Sequence, residues 1–162
     1  MSGIYWIDSG VLIQAKNGHY AMELVPKFWT FIETELKSGT IRMPKMSFDE
    51  ITDGTDELAK WCKQRKNIGH FCCKSDREVQ ERFAAVANYV AANHKPHAAA
   101  DFLKGADGWV IAHALKTGGF VVTEELRNKY KSKIKIPVVA KAMRAPWKAT
   151  YEMCKELKAN FS

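Results

Sequence analysis

The chain has 162 residues, of which 46% are hydrophobic and 27% charged, and its formal net charge is +7. A chain of this length can bury roughly two-thirds of its unfolded surface as one domain, and this composition excludes intrinsic disorder. The first apolar run, at positions 4–7, is too short for a signal peptide or a membrane span. We therefore expect a single domain, residues 1–162, in the cytoplasm and with no membrane contact.

Four cysteines are present, Cys62, Cys72, Cys73 and Cys154. We expect free thiols, because a chain with a core of this size needs no disulfide and reduced thiols suit the cytoplasm. A zinc site made of His70, Cys72 and Cys73 is a weaker interpretation. The HFCC spacing lacks the two-residue gap of a CxxC pair, and no second pair is present.

Positive charge is concentrated near the C-terminus. Residues 126–162 contain ten Lys or Arg and two Glu, a local charge of +8, so the first 125 residues sum to −1. Five of these basic residues alternate in sequence, and an extended segment would present them on one face: Arg127, Lys129, Lys131, Lys133 and Lys135. This pattern is typical of a surface that binds single-stranded RNA, but a solvated basic loop explains it equally well.

The hydrophobic pattern predicts strands that alternate with helices. We predict strands at 4–7, 40–43 and 120–123, and an edge strand at 134–139 that Pro137 interrupts. We predict helices at 26–37, between Pro26 and Gly39, and at 98–103 and 107–116. A Ser47–Glu50 capping box opens a further helix, Ser75 and Glu78 open one at 75–93, and Thr150 caps one at 150–159. Continuously apolar strands predict a mainly parallel sheet with helices on both faces.

Acidic residues follow two of the predicted strands and begin two of the predicted helices. Asp8 ends the first strand, and Glu124 and Glu125 end the third. Open α/β sheets bind ligands at the carboxyl ends of their strands, so we expect these acids at one edge. Asp107 begins an apolar series at i+3, i+4 and i+7, which places it on the helix face toward the sheet. Glu50, at its own helix start, could point inward as well.

Each acid also has a simpler explanation. Glu50 could be the capping-box partner of Ser47, Asp107 could favour its helix N-terminus, and Asp8 could order a turn. Several carboxylates at one site, however, raise one another's pKa unless a cation is present. Oxygen ligands suit Mg²⁺ or Mn²⁺, which can activate water for attack on a phosphodiester. Together with the basic segment, the acids predict metal-dependent hydrolysis of nucleic acid.

At these residues the chain resembles the PIN-domain family of nucleases, which includes the VapC-type toxins of bacterial toxin–antitoxin pairs. YWIDSGVLI resembles the first strand of that family, with its leading acid at Asp8 and a small hydroxyl residue at Ser9. SFDEI resembles the segment with the second acid, here Glu50, and ADGWVIAHAL resembles the helix that begins with the third acid, here Asp107.

The strand VVTEE resembles the family's strand that ends in Thr-x-Asp, which aligns Thr123 with the Thr and Glu125 with the final Asp. Glu thus replaces the usual Asp at the fourth position, and Glu124 could take that role instead. With KIKIPVV near the C-terminus, the segments are most similar to a less-studied prokaryotic branch of PIN-like proteins. We interpret two further acids, Asp49 and Asp101, as surface residues.

The resemblance implies an α/β/α sandwich and an Mg²⁺- or Mn²⁺-dependent ribonuclease that forms a homodimer and binds a cognate antitoxin protein. The site residues that we predict are Asp8, Glu50, Asp107 and Glu125 for catalysis and Asp8, Asp107, Glu125 and Glu124 for the metal. For RNA they are Ser9 and Thr123, together with Arg127, Lys129 and Lys131 of the alternating basic segment. An alternative is a catalytically inactive PIN-like module that binds RNA or protein. A phosphatase ranks lower, because the sequence has no Lys or Ser motif for covalent phosphate transfer.

Among the other polar and aromatic residues we expect structural roles. Phe28, Trp29 and Phe31 recur at helical spacing, which is typical of core or dimer-interface residues rather than of base-stacking platforms. His113 lies on the helix that Asp107 begins, away from its acidic end, and we expect it to be structural. No other histidine belongs to a pattern typical of a triad or a zinc site.

Overall fold

The computed structural model describes residues 3–125 and 133–162. The strands are β1 (Tyr5–Ile7), β2 (Ile41–Arg42), β3 (Phe120–Val122) and β4 (Trp147–Lys148). The helices are α1 (Ser9–Asn17), α2 (Pro26–Ser38), α3 (Lys45–Thr52), α4 (Glu57–Gln64), α5 (Arg77–Asn93), α6 (Pro96–Lys104), α7 (Asp107–Thr117), α8 (Ile136–Ala142) and α9 (Thr150–Glu156). In the two described ranges, none of these helices combines the length and apolar character needed to cross a membrane.

The four strands form one parallel sheet in the order β2-β1-β3-β4. Successive residues of a strand point to opposite faces, so each strand contributes to two cores. Ile7 and Val122 pack with residues of α1, α2, α3, α4 and α9, whereas Trp6 and Val121 pack with residues of α5, α6, α7 and α8. This arrangement confirms the predicted three-layer α/β/α sandwich with a parallel sheet.

Several predicted elements are confirmed, and their ends have clear physical causes. Helix α2 begins at Pro26, whose fixed φ suits a first turn, and Gly39 follows it in the left-handed conformation with φ 86°. A Cβ at Gly39 would also lie 2.8 Å from the His70 ring, so a larger residue does not fit. Helix α7 ends in the same way before Gly118, whose φ is 70°.

The three predicted serine and threonine caps are wrong. Ser47 lies inside α3, which begins at Lys45, and its buried Oγ has no hydrogen-bond partner among the described residues. Asp76 rather than Ser75 caps α5, because its Oδ1 accepts from Val79 N at 2.9 Å. Helix α9 begins after Ala149, and Thr150 is its first residue. Asp76 thus caps the first turn of α5, and no N-cap side chain bonds to the first turn of α3 or of α9.

The predicted edge strand at 134–139 is also wrong. Residues Ile136–Ala142 form α8, and Pro137 lies in its first turn, where a missing N–H is tolerated. The branched residues Ile136 and Val139 are fully buried against the sheet, so tertiary packing overrides their preference for strands. The fourth strand is instead β4, and α1 and α4 are helices that the sequence pattern did not predict.

Candidate active site

Asp8 lies directly after β1, at the carboxyl edge of the sheet. It is the N-cap of α1, only 5% of it is exposed, and its Oδ1 accepts from Val11 N at 3.0 Å. The hydroxyl of Thr123, directly after β3, is hydrogen-bonded to the same carboxylate. Adjacent strand ends therefore hold this buried acid between them.

Glu50 connects the beginnings of two helices to this edge. Its Oε1 accepts from Ser9 Oγ at 2.8 Å, and its Oε2 accepts from the backbone N of Ala106 at 3.3 Å, directly before Asp107. Both bonds link residues more than 40 positions apart. The capping-box explanation for Glu50 is wrong, because Ser47 lies within the same helix and caps nothing.

Glu125 reaches the same edge from the end of β3. Its backbone N donates to Thr123 Oγ1 at 3.1 Å. Its carboxylate accepts from Ile136 N at 2.7 Å, which ties the end of β3 to the start of α8. Lys133 Nζ lies 3.5 Å from Glu125 Oε1, in an ion pair whose glutamate side chain is 14% exposed.

The charges of these residues act on one another. Burial, together with the nearby charges of Glu125 and Glu50, raises the pKa of Asp8 to about 7, although hydrogen bonds from Thr123 and Val11 N oppose the shift. Burial also raises the pKa of Asp107 to about 8, together with the charges of Glu125, Asp8 and Glu50. Four predicted acids, Asp8, Glu50, Asp107 and Glu125, thus share one electrostatic environment, which we call the acidic cluster.

Lys133 is a cation within reach of the acidic cluster. Burial lowers its pKa, but the carboxylates of Glu125, Asp107 and Asp8 outweigh burial and raise the pKa overall. Lys133 in turn lowers the pKa of Asp107. Nothing in the sequence pattern separates Lys133 from the other alternating basic residues. Its position follows from the ion pair with Glu125 and from helix α8, where the sequence pattern predicts a strand.

The other predicted acids lie outside the acidic cluster. Glu124 lines a separate cavity, where its charge acts on Tyr20 and Cys154. Asp49 pairs with Lys45 at 2.6 Å, and Asp101 lies 3.6 Å from His97 on an exposed helix face. We therefore place Glu125 rather than Glu124 at the fourth position, and we do not include Asp49 or Asp101 in the site.

Among the predicted RNA contacts, Ser9 and Thr123 lie at the acidic cluster, where they bond to Glu50 and Asp8. Arg127, Lys129 and Lys131 lie outside the described residues. His113 is buried, and its ring lies 4.5 Å from that of Trp6 between α7 and the sheet. Phe28 and Trp29 are core residues, and half-buried Phe31 packs against Phe161.

In residues 3–125 and 133–162, no three His, Cys, Asp or Glu side chains form a group that could hold a metal ion as they stand. The zinc interpretation is therefore wrong: the four cysteines are free, and Cys73 Sγ contacts the His70 carbonyl at 3.2 Å. Mg²⁺ does not need such a cage, because it takes most ligands from water and phosphate and one or two from carboxylates. Asp8 and Asp107 can supply those carboxylates, so the oxygen donors fit Mg²⁺ or Mn²⁺.

A parallel four-stranded sheet between two helical layers, with acids at its carboxyl edge, is a PIN-like fold. Three solved structures share it. FitAB bound to an IR36 DNA fragment is 12% identical, with 90% of this chain and 94% of that chain covered and a TM-score of 0.54. VapBC-1 from nontypeable Haemophilus influenzae is 15% identical, with 90% and 97% covered and a TM-score of 0.55, and FitAcB from Neisseria gonorrhoeae is 15% identical, with 89% and 96% covered and a TM-score of 0.53. None of the curated proteins matches the chain. Residues 5–161 match the family model described as a domain of unknown function, DUF4411, and the chain belongs to that family.

Proposed function

We propose that this protein is a metal-dependent endoribonuclease whose active site is the acidic cluster. The observation that supports this proposal most strongly is the set of carboxylates at the sheet edge, where burial and then mutual repulsion raise the pKa of Asp8 and of Asp107 well above the usual range. Clustered carboxylates with perturbed pKa values occur mainly at functional sites. Bringing them together destabilises the fold, which a purely structural role does not explain.

Each residue of the acidic cluster has a distinct role in this proposal. Asp8 and Asp107 would hold Mg²⁺ or Mn²⁺, which would supply an activated water and neutralise charge at the scissile phosphate. Glu125 adds a third carboxylate, and Ile136 N fixes its orientation. Glu50, held by Ser9 and Ala106 N, adds negative charge at the rim. Lys133 offers an ammonium group to a phosphate oxygen of the substrate.

Replacement of Asp8 and of Asp107 tests the proposal. Purified wild-type protein should cleave RNA only with Mg²⁺ or Mn²⁺, and Asp8→Asn and Asp107→Asn should each lower the rate at least about a hundredfold. The matched control is Asp101→Asn, an exposed acid outside the cluster, which should cleave at the wild-type rate. Undiminished cleavage by both cluster variants contradicts the proposal. RNA binding without cleavage by the wild type favours the inactive-module alternative.

We also propose that the protein is the toxin of a cytoplasmic toxin–antitoxin pair, acting as a homodimer that a cognate antitoxin inhibits. The sequence resemblance to VapC-type toxins and the fold shared with FitAB and VapBC-1 support this role. Induced expression should arrest bacterial growth, and Asp8→Asn should abolish the arrest. Co-expression of an adjacent small reading frame should restore growth. Unimpeded growth at high expression of active nuclease would argue against a toxin.

A further inference from the structure

A second site lies beside the acidic cluster, on the other side of the β3 end. It is a cavity of about 200 Å³ whose lining includes Val11, Gln14, His19, Tyr20, Glu124 and Thr150. We call it the Glu124 cavity. None of the residues expected from the sequence to bind RNA lines it, and the proposed chemistry leaves its polar groups unused.

One buried group in the Glu124 cavity lacks a partner. Thr150 is only 4% exposed, and its Oγ1 forms no hydrogen bond with any described residue. An unsatisfied buried hydroxyl costs free energy, so native proteins rarely keep one without a ligand or water to bind. The oxygen itself has almost no accessible surface, so it meets a molecule in the cavity only when the Thr150 side chain rotates about χ1. The cavity is also lined by Glu124 and Gln14, whose carboxylate and amide suit a polar molecule.

The Glu124 cavity is connected to the acidic cluster through two residues. Val11 lines the cavity, and its backbone N donates to Asp8 Oδ1. Glu124 lines the cavity, and the next residue, Glu125, belongs to the cluster. A molecule bound in the cavity is thus close to a substrate whose phosphate is held at the cluster.

The size and polarity of the cavity restrict what it can bind. Typical ligand pockets measure roughly 300–1,000 Å³, so a cavity of about 200 Å³ holds a single planar ring system rather than a whole nucleotide. Tyr20 lines the cavity, and because one face of its ring stacks on Phe28 at 4.3 Å, the opposite face is the one on which a base can stack. Within an RNA substrate, the group of this size and shape is a nucleobase.

The carboxylate of Glu124 selects among the bases. An ionised carboxylate only accepts hydrogen bonds, and its two oxygens together accept from two adjacent donors. Guanine presents two adjacent donors on one edge, N1–H and the 2-amino group, whereas the pairing edges of adenine, cytosine and uracil place an acceptor beside each donor. The hydroxyl of Thr150 and the amide of Gln14 can donate to the guanine acceptors.

We propose that the Glu124 cavity is a guanine-specific subsite, which holds the base adjacent to the cleaved bond. The proposal rests on the ribonuclease function proposed above and adds its base specificity. Glu124 reads the N1–H and 2-amino edge, and Thr150 and Gln14 contact the acceptor edge. A site built to bond a particular donor discriminates strongly against an analogue that lacks it.

Calorimetric titration with mononucleotides tests the subsite without requiring cleavage. Wild-type protein should bind GMP at least about tenfold more tightly than AMP, CMP or UMP, and IMP, which lacks the 2-amino group, should bind several-fold more weakly than GMP. Glu124→Gln should weaken GMP binding at least about tenfold. Thr150→Val should weaken it less. Glu57→Gln, the same substitution at an exposed glutamate outside the cavity, should bind GMP as the wild type does.

Cleavage of RNA oligonucleotides that differ in one base then distinguishes an RNA guanine from a free nucleotide. Wild-type protein should cut beside guanine, and Glu124→Gln should cut with little base preference. Equal binding of all four nucleotides, or full GMP binding by Glu124→Gln, overturns the subsite. GMP-selective binding with base-indifferent cleavage also overturns it and indicates a free-nucleotide site. Absence of any RNA cleavage by the wild type overturns the ribonuclease proposal itself, whatever the GMP titration shows.

Discussion

Glu124 and Glu125 are consecutive residues at the end of β3, but their surroundings differ in charge and in chemistry. Glu125 is surrounded by Asp8, Asp107 and Lys133, and each of those groups has a pKa displaced by the Glu125 carboxylate. Glu124 lines a cavity of neutral polar and aromatic groups, including Tyr20. The end of β3 thus contributes to two sites. Carboxylate charges are concentrated at the first, and the second is a cavity that we propose to recognise a base by hydrogen bonds.

The largest expected effect separates the two glutamates by activity. Glu125→Gln keeps an oxygen that can accept from Ile136 N, but it removes one negative charge from the acidic cluster. We expect RNA cleavage to fall about a hundredfold, equivalent to about 2.7 kcal/mol. Carboxyl NMR titration of this variant should also show lower pKa values for Asp8 and Asp107, because the Glu125 charge raises both.

The matched comparison is the same titration with Glu124→Gln. No Glu124 charge contributes to the pKa shift of Asp8 or of Asp107, so neither value should move. Equal pKa changes in the Glu124 and Glu125 variants would show that the two glutamates share one site. Wild-type cleavage by Glu125→Gln would remove Glu125 from the proposed catalytic residues.

A second effect concerns stability and its dependence on pH. The folded-state pKa of Asp107, about 8, lies above the unfolded value of 3.8. The folded protein therefore binds more protons than the unfolded chain between these values, and stability falls as pH rises from about 4 to about 8. Asp107→Asn, which stays neutral, should raise the free energy of unfolding of the metal-free protein at pH 8 by on the order of 2 kcal/mol.

Urea unfolding with a chelator at pH 4 and pH 8 measures this effect. The stability gained by Asp107→Asn should almost vanish at pH 4, where the folded wild type is protonated at this position and the unfolded chain is close to its own pKa of 3.8. Mn²⁺ should raise the stability of the wild type and not that of the variant. Destabilisation by Asp107→Asn at pH 8 would show that burial and repulsion do not act on this carboxylate as inferred.

The fold could be predicted from the sequence wherever a local signal and the tertiary environment agreed. The apolar run of β1 and the Pro26 and Gly39 limits of α2 are of this kind. Helix α8 was missed because its isoleucine and two valines favour strands in isolation, and only the packing of Ile136 and Val139 on the sheet makes a helix stable. Strand β4 has two residues, too few to give a periodic pattern.

The site could be predicted only in part, for a similar reason. The position of Asp8 follows from the strand that ends beside it, and that of Asp107 from the apolar face of its helix. Contacts over long sequence distances carry no local signal. The bond from Ser9 to Glu50 and the ion pair of Lys133 with Glu125 are examples. The Glu124 cavity is another, since its residues come from the first and last parts of the chain.

The smallest expected effect compares a buried threonine of each site. Thr123 is fully buried, and its hydroxyl bonds to Asp8 and accepts from Glu125 N at 3.1 Å. Thr123→Val breaks both bonds in the interior, so the free energy of unfolding should fall by about 1–3 kcal/mol. The hydroxyl of Thr150 has no partner among the described residues, so Thr150→Val should leave stability unchanged or raise it by about 1 kcal/mol. Urea unfolding at pH 7 compares the two variants, and an equal loss in both would show that the hydroxyl of Thr150 is satisfied within the folded chain.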